Sequence, residues 1–229
     1  MQIKELVIIG GGGHATVVAE AARLAGHQLA GFLDDEAHPA LADWSISAES
    51  QGLDIKGFTH LGRLGSLAAI APSQAWIIAV GGLALRRKLI AQLSILQQDS
   101  RIGSPASIIH PSASVSPTAN LGSGVFVGPM AVIHSRARIA DHAILNTATV
   151  IEHDCQIGEN SHIAPGSVLG GGVHVGPDAL IGLGSRLLPT IRIGTGAVIG
   201  GGAVVVRDVA AGQTVVGVPA APLRRDRGT

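Results

Sequence analysis

The chain has 229 residues, sixteen basic against sixteen acidic, and only 14% charged residues. No basic stripe or polybasic tract is present, the short cluster at Arg86, Arg87 and Lys88 included, so a nucleic-acid partner is not expected. A single cysteine rules out an intrachain disulfide and a Cys-rich zinc site. No apolar run approaches the roughly 18 residues of a membrane span, and the short run Leu6 to Ile9 ends in glycines rather than continuing as a leader. A soluble, cytoplasmic protein of one or two domains is expected.

Glu5 to Ile9 reads as a buried strand and is followed by Gly10-Gly-Gly-Gly13 and His14. Thr16 to Ala25 has helical spacing and stops at Gly26. Gln28 to Leu33 reads as a second strand ending at Asp34-Asp35. Residues 36–73 read as long and irregular. Trp76 to Val80 reads as a third strand ending at Gly81-Gly82, with a helix from about Leu83 to Leu96. This order predicts an α/β, Rossmann-like domain with a parallel sheet over residues 1–103. Glycines at a strand-to-helix turn let a phosphate approach the helix N-terminus. Gly10, Gly12 and Ala15 also fit a permissive dinucleotide fingerprint. A full NAD domain needs two such halves, and about 100 residues hold little more than one.

The second half, residues 104–229, has a period of six. From Ile109 to Val205 every sixth residue is Ile, Leu or Val. Two residues before each stands a small or β-branched residue, of which Ile191 is the bulkiest. Glycine recurs just after the aliphatic position, as at Gly128, Gly158 and Gly176, where it is expected to relieve backbone strain in a turn. A sheet has period two, so this is not an ordinary sheet. One large and one small inward residue per hexad fill a narrow interior. Three hexads close a triangular coil of about 18 residues, and coils stack.

The pattern resembles the hexapeptide-repeat acyltransferases, whose fold is a left-handed parallel β-helix. The segment Val215 to Leu223 resembles their closing stretch, with Ala221 where Lys is common, and reads as a cap. Gly12-Gly-His14, Leu33-Asp-Asp35 and Ala79-Val-Gly81 extend the likeness to one branch. That branch is the sugar-nucleotide N-acetyltransferases of bacillosamine and perosamine synthesis, with the related sialic acid O-acetyltransferases. The resemblance implies that the N-terminal domain binds a nucleotide-sugar. Gly12, Gly13 and His14 would contact phosphate or sugar, Asp34 and Asp35 the nucleoside, and Gly81 would line the same pocket. The resemblance also implies acetyl-CoA as co-substrate, with no metal, and a homotrimer.

Acetyl transfer needs a base near neutrality and donors for the oxyanion. His153 lies in Asn146-Thr-Ala-Thr-Val-Ile-Glu-His-Asp-Cys155, which resembles the family's active-site stretch. The register points Ile151 and Cys155 inward, so His153 and Asp154 stand on an exposed corner, and Cys155 reads as core rather than nucleophile. Asp154 can orient the imidazole and raise its basicity. The alternative is a solvated turn histidine. The resemblance implies that His162, Leu183 and Gly201 contact coenzyme A, and Asn146 can help hold the acceptor amine or serve as a stacked structural Asn. His153 and His162 are nine residues apart, half a coil, so one site using both must lie between subunits. The expected activity is N-acetylation of a nucleotide-linked amino-deoxy sugar, with O-acetylation of a sialic acid or related sugar as the alternative. A carbonic anhydrase of the same scaffold would need two histidines five apart, a spacing absent among His134, His142, His153, His162 and His174. A non-enzymatic nucleotide sensor would tolerate loss of His153.

Overall fold

The computed structural model describes residues 5–50 and 58–223. Contacts divide the chain into two compact units. One holds residues 1–111 together with 123–126, and the other holds 112–122 together with 127–229.

The first unit is a four-stranded parallel sheet. Its elements run β1 (Glu5–Ile9), α1 (Gly13–Leu24), β2 (Gln28–Leu33), α2 (Ala40–Ser50), β3 (Thr59–Gly62), β4 (Ala75–Ile78) and α3 (Leu83–Gln98), in the sheet order β3-β2-β1-β4. β1 is central and buried from Leu6 to Ile9, which matches its unbroken apolar run. Val7, Ile9, Leu33, Trp76, Ile78 and Leu89 belong to one continuous core cluster. The segment read as irregular contains α2 and the edge strand β3, and residues 51–57 of it lie outside the described residues. Both were illegible for a physical reason. β3 is an edge strand with no buried residue and no alternation, and α2 has a weak apolar stripe.

The second unit is a parallel β-helix, with two-residue strands stacking into three faces. The first face includes Ile144–Leu145, His162–Ile163, Leu180–Ile181 and Val198–Ile199. The second includes Val132–Ile133, Val150–Ile151, Val168–Leu169, Arg186–Leu187 and Val204–Val205. The third includes Asn120–Leu121, Arg138–Ile139, Gln156–Ile157, His174–Val175 and Arg192–Ile193. The aliphatic residue of each pair points inward and is buried from Val127 onward, a gain of roughly 1.5–3 kcal/mol per side chain. In the first coil Ile109, Val115 and Leu121 stay partly exposed, a departure from the uniform inward pattern. Inward Ser161, Ser167 and Ser185 donate to the carbonyls of Gly176, Gly182 and Gly200 one coil on.

The glycines after the aliphatic positions do not relieve backbone strain, contrary to expectation. A Cβ on Gly128, Gly158 or Gly176 would stand 2.5–2.8 Å from a backbone nitrogen of the next coil. They are glycine because the coils approach closely there. The left-handed backbone falls two residues later, at Met130, Arg136, Asp154 and their equivalents. Thr214–Val216 extends the first face and pairs antiparallel with Ala221–Pro222, which closes the end as a cap. Among the described residues no helix is long and apolar enough to cross a membrane.

Candidate active site

In the first unit, β1 is followed directly by Gly10, whose φ is +119°. Gly11 follows, packed so closely on Asp34 and Pro39 that a Cβ would stand 2.7–2.9 Å from their carbons. Gly12 caps α1, and a Cβ on Gly12, Gly13 or Gly81 would meet nothing within 4 Å. These three, with His14, Asp34 and Asp35, line one cavity of about 400 Å3 at the C-terminal edge of the sheet. The Gly12 and Gly13 amides make no hydrogen bond among the described residues and face this cavity. Asp34 is buried, and its two carboxylate oxygens accept from the amides of Gly11 (2.6 Å) and Glu36 (2.8 Å). Asp35 accepts from the amide of Leu64 at 3.1 Å. Both aspartates thus also shape the loops that wall the cavity. The His14 ring packs edge-on against Phe126 at 5.4 Å. Arg86, buried in the first turn of α3, donates to the carbonyls of Ile78 (2.6 Å) and Val80 (3.3 Å), and burial draws its pKa down to about 10. In the sequence it stood out only as part of a short basic cluster with Arg87 and Lys88.

In the second unit, His153 and Asp154 occupy the edge between the second and third faces. His153 is 58% exposed. Its Nδ1 lies 2.8 Å from Asp154 Oδ2. Arg136, one coil earlier on the same edge, donates to both oxygens of Asp154 at 2.7 Å through Nε and a terminal nitrogen. That bond first, and the His153 bond next, hold the Asp154 carboxyl far below the usual carboxylate range. An ionised carboxylate only accepts, so Nδ1 carries a proton, and in the neutral ring the lone pair is on Nε2. One coil later Gly171 lies under the imidazole, where a Cβ would stand 2.7 Å from both Cε1 and Nε2. Arg136 and Gly171 were missed in the sequence, although each is one 18-residue step from the motif. Cys155 points inward, fully buried, and its thiol is pushed up to about 11 by burial. At neutral pH it is a core residue.

His162 points outward from the first face, which lies across the prism from the His153 edge. Its Nε2 is 3.3 Å from Asn146 Nδ2, and an amide nitrogen only donates, so Nε2 accepts. Asn146 Oδ1 accepts from the Thr147 amide. Leu183, 63% exposed, and Gly201 stack one above the other on the edge between the first and second faces, the edge that also holds Asn146. The structure therefore gathers His162, Asn146, Leu183 and Gly201 along one side of the prism, and His153 with Asp154 on another. Leu183 offers an exposed apolar side chain and Gly201 an exposed backbone. Among the described residues no cluster of potential metal ligands occurs.

A Gly-lined α/β pocket joined to a β-helix with a carboxylate-held histidine on its edge defines a nucleotide-binding hexapeptide-repeat acyltransferase. Comparison with known proteins narrows the class. Residues 5–93 match the model of the PglD N-terminal domain, and residues 101–181 that of the GMPPB C-terminal domain. No curated protein sequence matches the chain. Among solved structures, a mutant of perosamine N-acetyltransferase from Caulobacter crescentus, in complex with CoA and GDP-perosamine, is 35% identical. The match covers 97% of this chain and 98% of that one, with a TM-score of 0.82. The acetyltransferase domain of PglB from Neisseria gonorrhoeae, in complex with acetyl coenzyme A, is 34% identical over 96% and 99% of the two chains, with a TM-score of 0.82. WeeI from Acinetobacter baumannii is 26% identical over 96% and 100%, with a TM-score of 0.76. The chain belongs to the sugar-nucleotide acetyltransferases of the hexapeptide-repeat family and is an acyltransferase.

Proposed function

We propose that this chain is a cytoplasmic homotrimer that moves the acetyl group of acetyl-CoA to the amine of a nucleotide-linked amino-deoxy sugar. The observation that carries the reading is His153: its Nδ1–H is spent on an ionised carboxylate, and its Nε2 is open. In this reading Gly12, Gly13, His14, Asp34, Asp35 and Gly81 form the nucleotide-sugar pocket. Acetyl-CoA supplies an electrophilic thioester carbonyl. The acceptor nitrogen attacks that carbon, and Nε2 of His153 takes the proton the nitrogen sheds. As the C–S bond breaks, the resulting imidazolium returns the proton to the sulfur. Asp154 stabilises the imidazolium in between, and Arg136 keeps Asp154 charged. The relatives bound to GDP-perosamine favour an amine over a hydroxyl acceptor.

The trimer has its own support. The second face presents Val132, Val150, Val168 and Val204 outward, all partly exposed. Arg186 interrupts that row, but its terminal nitrogen turns aside to the carbonyls of Gly184 (2.7 Å) and Gly166 (3.0 Å). The His153 edge and the Leu183–Gly201 edge both border this apolar face. If three copies turn it toward a threefold axis, the His153 edge of each meets the Leu183 edge of the next. Incubation with acetyl-CoA and a panel of GDP-, UDP- and dTDP-linked amino sugars, read by mass, should yield one acetylated product. His153→Ala should lower turnover by roughly 10²–10⁴. Undiminished turnover in that variant would refute the role of His153.

A further inference from the structure

The third face carries a row of side chains that the acetyl-transfer site does not use. Its outward positions are Asn120, Arg138, Gln156, His174 and Arg192, one per coil. They line a groove of about 640 Å3 whose border includes Gly158, Gly176 and Gly194, so little side-chain bulk covers it. Asp208 accepts from the backbone N–H of Arg192, at 2.8 Å. The Arg192 guanidinium itself makes no hydrogen bond or ion pair among the described residues, unlike the tethered Arg186.

We propose that Arg192, assisted by His174, grips the phosphates of the coenzyme A molecule that lies along the Leu183–Gly201 edge of a neighbouring copy. This rests on the threefold reading. With the valine face toward the axis, the cleft between two copies has the third face of one as a wall and the first face of the next as the other. The level along the prism then selects the residues. Leu183 and Gly201 both lie on the C-terminal side of the His153 coil, so a donor that reacts at His153 and passes them runs toward later coils. Its diphosphate stands at the far end of the pantetheine arm. Arg192 comes 39 residues after His153, a little over two coils, or roughly 10 Å along the axis. His174 lies one coil nearer. Arg138 is on the opposite side of the His153 level, away from that path. Coenzyme A carries a diphosphate and a further phosphate on the ribose. A planar guanidinium whose donors are unspent among the described residues suits either group.

Isothermal titration tests this with CoA and with pantetheine, which lacks the phosphates, while light scattering reports the assembly. Arg192→Met should weaken CoA binding roughly tenfold or more and flatten its salt dependence. Arg192→Lys should recover part of the loss. Pantetheine binding should not change, and Arg138→Met should bind CoA as the unaltered protein does. A trimeric Arg192→Met protein with unaltered CoA affinity overturns this inference and leaves the threefold reading standing. Equal weakening of CoA and pantetheine, or weakening of the nucleotide-sugar instead, overturns it as well. A monomer that binds CoA normally overturns both.

Discussion

Replacing Gly171 with alanine separates the chemistry of the site from the stability of its scaffold. The new Cβ would stand 2.7 Å from Cε1 and Nε2 of His153 and 3.4 Å from Cδ2. Non-bonded carbons settle at about 3.5–4.0 Å, so the ring must retreat by roughly 1 Å. That motion pulls Nδ1 off Asp154, to which it is bonded at 2.8 Å. A misplacement of about 1 Å costs on the order of 10²-fold. At about 1.36 kcal/mol per decade this is roughly 2.7 kcal/mol of transition-state stabilisation. The fold should not suffer. The atoms in the way belong to the far end of an exposed side chain, and Gly171 lacks a left-handed backbone. Gly-to-Ala at a compatible position even stabilises by about 0.4–1 kcal/mol. Gly172→Ala is the counterpart. Its φ is +69° and its nearest neighbour is Thr190 Cγ2 at 3.6 Å, so it strains the backbone by roughly 1–2 kcal/mol without touching the imidazole. The assay is release of free CoA thiol, for kcat/KM, beside calorimetric Tm. Gly171→Ala should lose activity and keep Tm, and Gly172→Ala should do the reverse. A Gly171→Ala enzyme within twofold of the parent would refute the placement of His153.

Cys155→Ala should keep more than half the activity in the same thiol-release assay, because the buried thiol, pushed up to about 11, is no nucleophile at neutral pH. Thr149→Val should raise Tm. The Thr149 hydroxyl is buried with no hydrogen-bond partner among the described residues, a defect worth about 1–3 kcal/mol. Arg136→Met should lower stability slightly at neutral pH, and denaturant midpoints between pH 2 and 7 should show where the difference disappears. The folded Asp154 carboxyl is depressed, so its contribution is full above the unfolded value near 3.9 and is lost as pH falls toward the folded one. The two proteins should therefore converge on acidification, and the gap should be small because the pair is exposed and screened. Val150→Asp should lower the molar mass read by light scattering from that of the proposed trimer to that of one chain, since it sets a charge in the valine row.

The β-helix was legible because burial repeats every six residues, which sets Ile151, Ile157 and Ile163, from three successive strands, into one interior. The role of the repeat glycines was not legible. Close approach between coils and a left-handed backbone both select glycine, and only coordinates distinguish Gly170, which abuts Pro189 of the next coil, from Gly172, at φ +69°. The edge strand β3 left no signal because it buries nothing. The partners of the motif were accessible in principle. In a solenoid the neighbours of residue n are n − 18 and n + 18, which leads from Asp154 to Arg136 and from His153 to Gly171. The Asn146–His162 contact spans 16 residues, a diagonal across coils, and no period predicts it.

The same geometry explains why the reactive groups lie on edges. Each hexad spends its two inward positions on packing, so the prism has no interior in which to place a base. A catalytic imidazole must then stand on an edge, and His153 does, more than half exposed. Stabilising an oxyanion in contact with bulk water is weak, because the solvent screens the donors. A single prism offers only a convex surface there. On the proposed threefold reading the missing wall comes from a second body. The valine-lined second face, with the His153 edge on one side and the Leu183–Gly201 edge on the other, is where a second copy would supply it.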